Sequence, residues 1–484
     1  MSAPELQGTS FFRYLWRQLT SMRNALILLL LLGLASIPGS LVPQRTQSPL
    51  KVREYFESDP NAAKWMDRFY LFDVYGSPWF SAIYILLFIS LIGCVAPRTW
   101  HYAKEALSKP TSAPATLTQF EFHQESDGSL DQAEAWLKKN RFRVTRSEGA
   151  ISAEKGYLRE TGNLIFHLAL IVILLGVGAS SVFGMRGEAI VTIGERFINV
   201  PTSYDNLAPG RFFDAADMPA FVVTAANFEA KYDPETRQPL DYKLTALVSN
   251  GTKDRPERKI VRVNKPLTFG DSRVYLQANG FSPLVTVRDK DGNVKFEGPV
   301  PFLPQDSNLT SIGAIKVPDM NPQIGFVASF FPTAARDEVR GGFSTYPELL
   351  DPRLLVSVWQ GDLKMDSGIP QSVYRIDTSE MERIGLWGLS ISESYTFGDP
   401  EVGTITLNGA VPWVNLQVVK DPGKPWALAG SIVAIASLMA SLFIRQRRIF
   451  VRASNGKLEV SGLALNRLPG LEDEIRKMVS EVSR

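Results

Sequence analysis

The sequence is poor in the residues that most often carry chemistry, since it has one cysteine and three histidines among 484 residues. With Cys94 alone, no disulfide can form within the chain, and neither a CxxC redox centre nor a cysteine-based structural zinc site can be built. The histidines, His101, His123 and His167, all precede residue 184. The region 184–425 therefore offers neither imidazole nor thiolate to a transition metal.

Motifs of the common hydrolases and nucleotide-binding enzymes are also missing. No GxSxG, HExxH or Walker-type glycine loop occurs, so the corresponding mechanisms have no signature. The formal net charge is +2 and no long basic run is interleaved with aromatic residues, which argues against nucleic-acid binding. Asp and Glu are numerous in 184–425, but no spacing singles out a pair. The sequence therefore predicts no catalytic residue and disfavours an autonomous enzyme.

Four long apolar runs dominate what is present. Each is close to the ~20 residues that a helix needs to cross a ~30 Å hydrocarbon core. The first run is longer than a typical signal-peptide core of about 7–15 residues, so we interpret it as an uncleaved anchor. The predicted membrane-spanning helices are residues 24–42, 79–96, 160–183 and 426–444.

Lysine and arginine near the span ends predict the orientation, because cytoplasmic loops carry an excess of positive charge. Residues 1–23, 97–159 and 445–484 are predicted to be cytoplasmic, whereas 43–78 and 184–425 are predicted to be extracytoplasmic. The predicted localisation is the cell (plasma) membrane, multi-pass, with both termini in the cytoplasm. The basic residues that carry this prediction are Arg13, Arg17, Arg23, Arg98, Lys104, Lys155, Arg159, Arg445, Arg447 and Arg448.

The large extracytoplasmic segment, 184–425, contains short alternating runs separated by turn-forming pairs, a pattern typical of β structure. It predicts a mainly-β domain or two stacked β lobes. The runs with a strand pattern are 221–224, 242–248, 259–263, 273–277, 284–288, 354–359, 403–407 and 413–418.

The cytoplasmic segments are predicted to be small. Residues 97–159 read as an α/β unit that starts with a strand at 116–123 and contains a helix capped by Ser129 with Gln132. The tail, 445–484, predicts a hairpin around Asn455-Gly456 followed by a short helix over 471–482.

His167 stands out because it lies about five residues inside the third span, which is about 8 Å along a helix. An ionisable side chain is costly in lipid and indicates a functional site. A neutral imidazole is also a good axial ligand for haem iron. The alternative is a histidine that only hydrogen-bonds a neighbouring helix, and both interpretations stay open at this level.

Three further residues near the inner span ends are candidates for the same site. Cys94 could ligate iron as a thiolate, although a lone membrane cysteine is usually a packing residue. Arg98 and Arg159 could pair with haem propionates through charge-assisted hydrogen bonds, and a role in setting topology is the simpler explanation. His101 and His123 fall in soluble cytoplasmic segments, where most histidines are surface or capping residues.

Small residues recur in the last two spans, for example at Gly176, Ala427 and Gly430. Such rows let helices approach closely. Two partners fit this pattern: the two spans pack against each other, or they pack against a second membrane protein.

The chain resembles the ResB family of cytochrome c biogenesis proteins, which act in the system II pathway that attaches haem to apocytochrome c outside the cytoplasm. The matching stretches follow the family's order and topology. They are 35–44 (ASIPGSLVPQ), 72–98 (FDVYGSPWFSAIYILLFISLIGCVAPR), 156–168 (GYLRETGNLIFHL), 263–276 (VNKPLTFGDSRVYL) and 420–452.

The resemblance implies a subunit of a cytochrome c synthesis complex that assists haem transport across the bilayer and its attachment to apocytochrome c. The family's membrane histidine maps onto His167, which implies transient binding of haem b, with a weaker implication for Cys94. The implied partners are a CcsA/ResC-type membrane protein, apocytochrome c and a thioredoxin-like reductant. The chain has no tryptophan-rich segment, since Trp359, Trp387 and Trp413 are scattered. The resemblance therefore implies that the bond-forming site lies largely on the CcsA-type partner, the family member that carries a tryptophan-rich haem-handling loop.

Two alternatives belong to other functional classes. The first is a membrane-anchored extracytoplasmic scaffold that binds envelope proteins without handling haem, with His167 only structural. The second is an envelope hydrolase that uses two facing carboxylates in 184–425.

Overall fold

The computed structural model describes residues 8–45, 47–107, 110–120, 122–156, 158–251, 255–339, 341–365, 373–454, 456–464 and 470–483. The chain forms two compact units: one joins Met1–Gly178 to Gly423–Arg484, and the other is Ala179–Pro422. The helices are α1 (Gly8–Leu19), α2 (Met22–Leu41), α3 (Pro49–Ser58), α4 (Pro60–Arg68), α5 (Pro78–Leu107), α6 (Leu130–Lys139), α7 (Leu158–Phe183), α8 (Lys424–Phe443) and α9 (Leu471–Val482).

The strands fall in three blocks along the chain, with β1–β3 before α7, β4–β21 between α7 and α8, and β22–β23 after α8. They are β1 (Phe122–Ser126), β2 (Arg143–Ser147), β3 (Ala150–Lys155), β4 (Met185–Thr192), β5 (Arg196–Ile198), β6 (Asn206–Pro209), β7 (Val222–Tyr232), β8 (Pro239–Ser249), β9 (Glu257–Arg262), β10 (Leu267–Phe269), β11 (Ser272–Asp289), β12 (Val294–Pro299), β13 (Leu303–Pro304), β14 (Ser311–Val317), β15 (Ile324–Phe331), β16 (Ala334–Asp337), β17 (Gly341–Ser344), β18 (Arg353–Gln360), β19 (Glu382–Ser390), β20 (Ser394–Phe397), β21 (Gly403–Lys420), β22 (Arg447–Ser454) and β23 (Lys457–Ala464).

The four predicted spans are confirmed as long apolar helices. Within the described residues, α2, α5, α7 and α8 each contain a stretch of 20–25 residues long and apolar enough to cross a membrane. At 1.5 Å per residue, 20 residues cover about 30 Å, the thickness of the hydrocarbon core. Helix α5 continues past its predicted end at residue 96 because Pro97 is accommodated inside it.

Small residues bring α7 and α8 into backbone contact. A Cβ atom at Gly430 would lie 2.9 Å from Ile173 Cγ1 and 3.1 Å from the Ala169 carbonyl oxygen. One at Gly176 would lie 2.9 Å from the backbone nitrogen of Ala427. The small-residue rows therefore pack against each other, which selects between the two partners that the sequence left open.

A leucine at Gly430 is expected to force α7 and α8 apart. Overpacking of this kind typically costs about 1–3 kcal/mol, which lowers a melting temperature by several degrees. The matched control is Gly33→Leu, because a Cβ at Gly33 in α2 meets nothing within 4 Å. Thermal melting of both purified variants tests this; equal melting temperatures would contradict the packing.

The segment between α2 and α5 contains two short helices. Helices α3 and α4 each start with a proline, at Pro49 and Pro60, a residue favoured at the first helical position. The side chain of Gln44 is buried and ties the segment together: its Nε2 donates to the Leu71 carbonyl oxygen at 3.0 Å, and its Oε1 accepts from the Val74 backbone N–H at 3.0 Å. The segment is therefore a folded cap between α2 and α5.

The two segments predicted to be cytoplasmic, before α7 and after α8, form one domain. Their strands build a single antiparallel sheet in the order β1-β23-β22-β3-β2, with α6 and α9 in the same hydrophobic core. The predicted hairpin, the helix over 471–482 and the capping box at Ser129 are confirmed. The strand predicted at 116–123 is wrong: β1 runs from Phe122 to Ser126. Leu117 is instead buried, and its carbonyl accepts from Ser461 Oγ.

The mainly-β region between α7 and α8 has two hydrophobic cores. One is built around strands β14, β15 and β18, and the other around β4, β7 and β8. Strands β11 and β21, of 18 residues each, pair along their length and supply residues to both cores. In β11, for example, Val274 belongs to one core and Val285 to the other. The two-lobe form of the prediction is thus the observed architecture.

Trp413 lies where the two cores meet. Its side chain is 2% exposed, and its Nε1 donates to the carbonyl oxygens of Phe281 at 3.1 Å and Phe302 at 3.0 Å. Gly280 makes room for the ring, since a Cβ there would overlap the indole of Trp413. Trp413 is accordingly a structural residue at the junction of the lobes.

Candidate functional site

Helices α2, α5 and α7 line a partly open cavity of about 380 Å³. Most of its lining is aliphatic, with leucines from all three helices, including Leu29, Leu91 and Leu174. Helix α5 is tied to α7 by a hydrogen bond from the Tyr84 hydroxyl to the Leu174 carbonyl oxygen. A cavity of this character suits a largely apolar ligand.

Polar side chains line the same cavity at one end of the spans. On α5, Leu87, Leu91, Cys94, Arg98 and Tyr102 all contribute. Residues three or four apart lie on one face of a helix, so this single stripe changes from aliphatic to polar as α5 leaves the apolar region. Helix α7 runs in the opposite direction and adds its own polar residues, Asn163 and His167, near its beginning.

The predicted site residues His167, Cys94 and Arg98 are therefore brought together, all three lining the cavity. The fourth, Arg159, lies at the start of α7, where its backbone N–H donates to the Gly156 carbonyl oxygen, and it is not part of the lining. His123 belongs instead to the five-stranded sheet, with its Nδ1 2.9 Å from Ser461 Oγ.

His167 has its tautomer set by its own helix. Its Nδ1 lies 2.8 Å from the Asn163 carbonyl oxygen. A carbonyl oxygen only accepts, so Nδ1 carries the proton, and in the neutral ring Nε2 keeps its lone pair. Among the described residues, no protein group hydrogen-bonds Nε2. Histidines that bind metals are commonly oriented by such a bond from the other ring nitrogen.

Cys94 and Arg98 contact the elbow, the turn at Thr20–Ser21 that joins α1 to α2, and the start of α2. The Cys94 thiol donates to the Thr20 carbonyl oxygen at 2.7 Å, and Arg98 Nη2 lies 2.9 Å from Met22 Sδ. A thioether is a weak acceptor, and a guanidinium has five N–H donors. Arg98 thus retains donors for an anionic group at the polar end of the cavity.

Sequence reasoning missed Asn163 and Tyr102. Asn163 lies four residues before His167, the spacing at which its carbonyl meets the ring on one helix face, and this was available as a signal. Tyr102 lies four residues after Arg98 and outside the span predicted to end at residue 96. It is nevertheless part of α5, because the helix continues through Pro97. The longer helix is what brings the phenol to the cavity.

The hydrolase alternative requires two facing carboxylates in the β region. The described residues of that region include one carboxylate whose pKa is raised by burial, Asp205. That side chain accepts from the Ile190 backbone N–H at 2.7 Å and from the Tyr374 hydroxyl at 3.2 Å. The Asp205 carboxylate therefore meets two hydrogen-bond donors rather than a second carboxylate, as expected for a structural carboxylate. Across the described residues, no group of three or more His, Cys, Asp or Glu could hold a metal ion.

Comparison with known proteins places the chain among relatives of nearly equal length. The cytochrome c biogenesis protein CcsB of Synechococcus sp. (strain WH7803) is 26% identical over 486 residues, which cover 96% of this chain and 96% of the relative. CcsB of Synechococcus sp. (strain CC9311) is 26% identical over 498 residues, covering 97% and 98%. CcsB of Prochlorococcus marinus (strain MIT 9313) is 26% identical over 487 residues, with coverage of 97% and 98%.

The family model described as the ResB-like family matches residues 22–476. The match runs from the start of α2 into α9, so it includes all four spans and both soluble regions. The resemblance read from the sequence is confirmed, and the chain belongs to the ResB-like family.

Proposed function

We propose that this chain is a membrane subunit of cytochrome c biogenesis that holds haem in the cavity between α2, α5 and α7 before its attachment to apocytochrome c. The biogenesis role rests on the chain-length similarity to proteins named cytochrome c biogenesis protein CcsB. The haem-holding role rests on the chemistry of the cavity. In this role haem is cargo that the protein passes on.

The observation that carries the proposal is the hydrogen bond that orients His167 on the cavity lining. His167 lines the cavity and its Nδ1 donates to the Asn163 carbonyl oxygen at 2.8 Å, so Nε2 is the ring nitrogen that remains for a ligand. Haem needs an axial ligand for iron and an apolar surface for the macrocycle. The site offers both.

The polar end of the cavity suits the haem propionates. Arg98 supplies a permanent positive charge, and the Tyr102 hydroxyl and Asn163 amide lie on the same lining. Charge-assisted hydrogen bonds from a guanidinium to a carboxylate are strong and directional. The leucines of the lining would hold the macrocycle, and Arg98 would pair with its carboxylates. Cys94 lies one helical turn before Arg98 on α5, and its sulfur is proposed to contact haem. Arg159 is proposed as a second cation, outside the cavity lining.

The membrane orientation remains the one proposed from the basic residues. Arg13, Arg17 and Arg23 precede α2, and Arg445, Arg447 and Arg448 follow α8. This charge distribution supports cytoplasmic termini in the plasma membrane with the β region outside. The polar end of the cavity then faces the cytoplasm. The β region is proposed to dock apocytochrome c, in a complex with a CcsA/ResC-type protein and a thioredoxin-like reductant.

Co-expression with a CcsA-type protein and an apocytochrome reporter tests the proposal. Wild type is expected to support covalent haem attachment, detected as haem-stained cytochrome after denaturing electrophoresis. Arg98→Gln is expected to reduce the yield, and Arg98→Lys to retain more of it because the charge is kept. A full yield without this chain, or equal yields from both Arg98 variants, would contradict the proposed role. A normal cytochrome yield with no haem in the purified chain would favour the scaffold alternative.

A further inference from the structure

Helix α1 has two distinct faces. On a helix of 3.6 residues per turn, the apolar residues lie on one side and Arg13 and Arg17, four residues apart, lie on the other. The apolar side consists of Phe11, Phe12, Leu15, Trp16 and Leu19. Most of this side is uncovered: the Phe12 side chain is 72% exposed and that of Trp16 is 55% exposed.

The C-terminal end of α1 is fixed against a membrane span. Ser90 Oγ donates to the Leu19 carbonyl oxygen at 2.5 Å, and the Cys94 thiol donates to that of Thr20 at 2.7 Å. The approach is close because Gly93 lies opposite, where a Cβ would overlap the Thr20 side chain. Ser90 and Cys94 both belong to the apolar span of α5. The C-terminal end of α1 therefore lies level with the membrane-spanning part of α5.

The length and charge of α1 exclude a transmembrane path for it. Its 12 residues cover about 18 Å, well short of the roughly 30 Å core. Helix α2 begins at Met22, three residues after α1 ends, so the chain turns sharply at the elbow Thr20–Ser21. A short helix whose C-terminal end lies beside a membrane span and that carries arginines on one face fits only along the surface of the bilayer.

The charge of the segment identifies the lipid chemistry. Residues 8–24 include Arg13, Arg17 and Arg23 and contain no aspartate or glutamate. Amphipathic helices with arginines on the polar face and aromatic residues on the other bind the boundary between headgroups and acyl chains, and they favour anionic lipids.

We propose that α1 is an interfacial helix that lies in the headgroup region of the leaflet on the N-terminal side. Its aromatic face contacts acyl chains, and Arg13 and Arg17 contact anionic phospholipid headgroups. The helix thereby holds the elbow against Cys94, beside the cavity. This assignment is independent of whether the cavity binds haem.

Single spin labels on the full-length chain test the depth of each face. In a Cys94→Ser background, labels are placed by Phe12→Cys and Leu15→Cys on the apolar side, and by Arg13→Cys and Arg17→Cys on the polar side. The protein is reconstituted in nanodiscs of phosphatidylcholine with phosphatidylglycerol. Oxygen is expected to relax the apolar-side labels more than a water-soluble nickel complex does, and the order is expected to reverse on the polar side.

The unmodified chain supplies the second readout. Hydrogen exchange of α1 amides is expected to slow when phosphatidylglycerol is included and to speed up in phosphatidylcholine alone. Strong nickel relaxation at all four labels would show a helix in water and overturn the proposal. Low accessibility of all four labels to both reagents would show a protein-covered helix and would overturn it equally, as would exchange that is insensitive to the lipid.

Discussion

Replacement of His167 by alanine is expected to reduce covalent haem attachment to a reporter cytochrome by at least about tenfold, with the variant still inserted in the membrane. Loss of even an outer partner of a metal ligand costs 10–100-fold at many sites, and here the ligand itself is removed. The measurement is haem-stained cytochrome per unit of membrane-inserted chain. The alanine also removes the ring that Asn163 orients, so external imidazole is expected to restore part of the yield.

The matched control is Leu170→Ala, three residues further along α7 and on the same cavity lining. This substitution removes side-chain volume from the cavity lining but removes no nitrogen ligand. If both variants lose the same yield, the effect comes from packing and His167 is structural, as the scaffold alternative requires.

Introduction of a carboxylate by Val451→Asp is expected to unfold the whole domain that the segments before α7 and after α8 build together. Val451 is fully buried at the centre of β22, paired with Ile151 on β3 and Val460 on β23. An unpaired charge in such a core costs several kcal/mol, comparable to the total stability of many domains, roughly 5–15 kcal/mol. Limited proteolysis should therefore cut both 110–156 and 447–482 in the same preparation.

Ala453→Asp supplies the matched control, because Ala453 lies on the same strand but is exposed. The same charge there should leave the digestion pattern of the wild type. Cleavage of Val451→Asp confined to the tail, with the segment before α7 still resistant, would contradict a single domain.

Local features of the fold were predictable because their signals are local. The four spans follow from length and hydropathy, and the hairpin and α9 follow from the turn pair near residue 455 and from helical periodicity. The union of the segments before α7 and after α8 was not predictable in this way. It depends on β22 pairing with β3 across some 290 residues of sequence, for example Arg448 opposite Glu154, and such pairing leaves no pattern in either segment alone.

The long strands were misread for a physical reason. Strand β11 contains two of the predicted short strands, 273–277 and 284–288, and between them lies Asn279-Gly280, a pair with the composition of a turn. In the structure Gly280 is there to admit the ring of Trp413. Strand β21 was divided in the same way at Asn408-Gly409, where the register shifts opposite Leu284 and Val285. A glycine that accommodates a distant side chain looks in sequence like one that makes a turn.

The lining of the cavity was predicted in part. His167 and Arg98 were found because charge and imidazole are unusual in or beside spans, and the structure places both on one cavity. Tyr102 carries no such signal, since polar residues at span ends are common, and the signal for Asn163 was only its spacing of four residues from His167. Their role depends on which faces of α5 and α7 meet, and helix–helix contacts are not encoded by hydropathy. Arg159 was chosen for its charge alone, and its helix face does not reach the cavity lining.

The most direct measurement is the visible absorption spectrum of the purified chain, alone and with its CcsA-type partner, for wild type and His167→Ala. The account predicts a haem Soret band in wild type that shrinks or shifts in the variant, whether or not the partner is present. A band of the same position and intensity in both would contradict the account, because haem would then be held without His167.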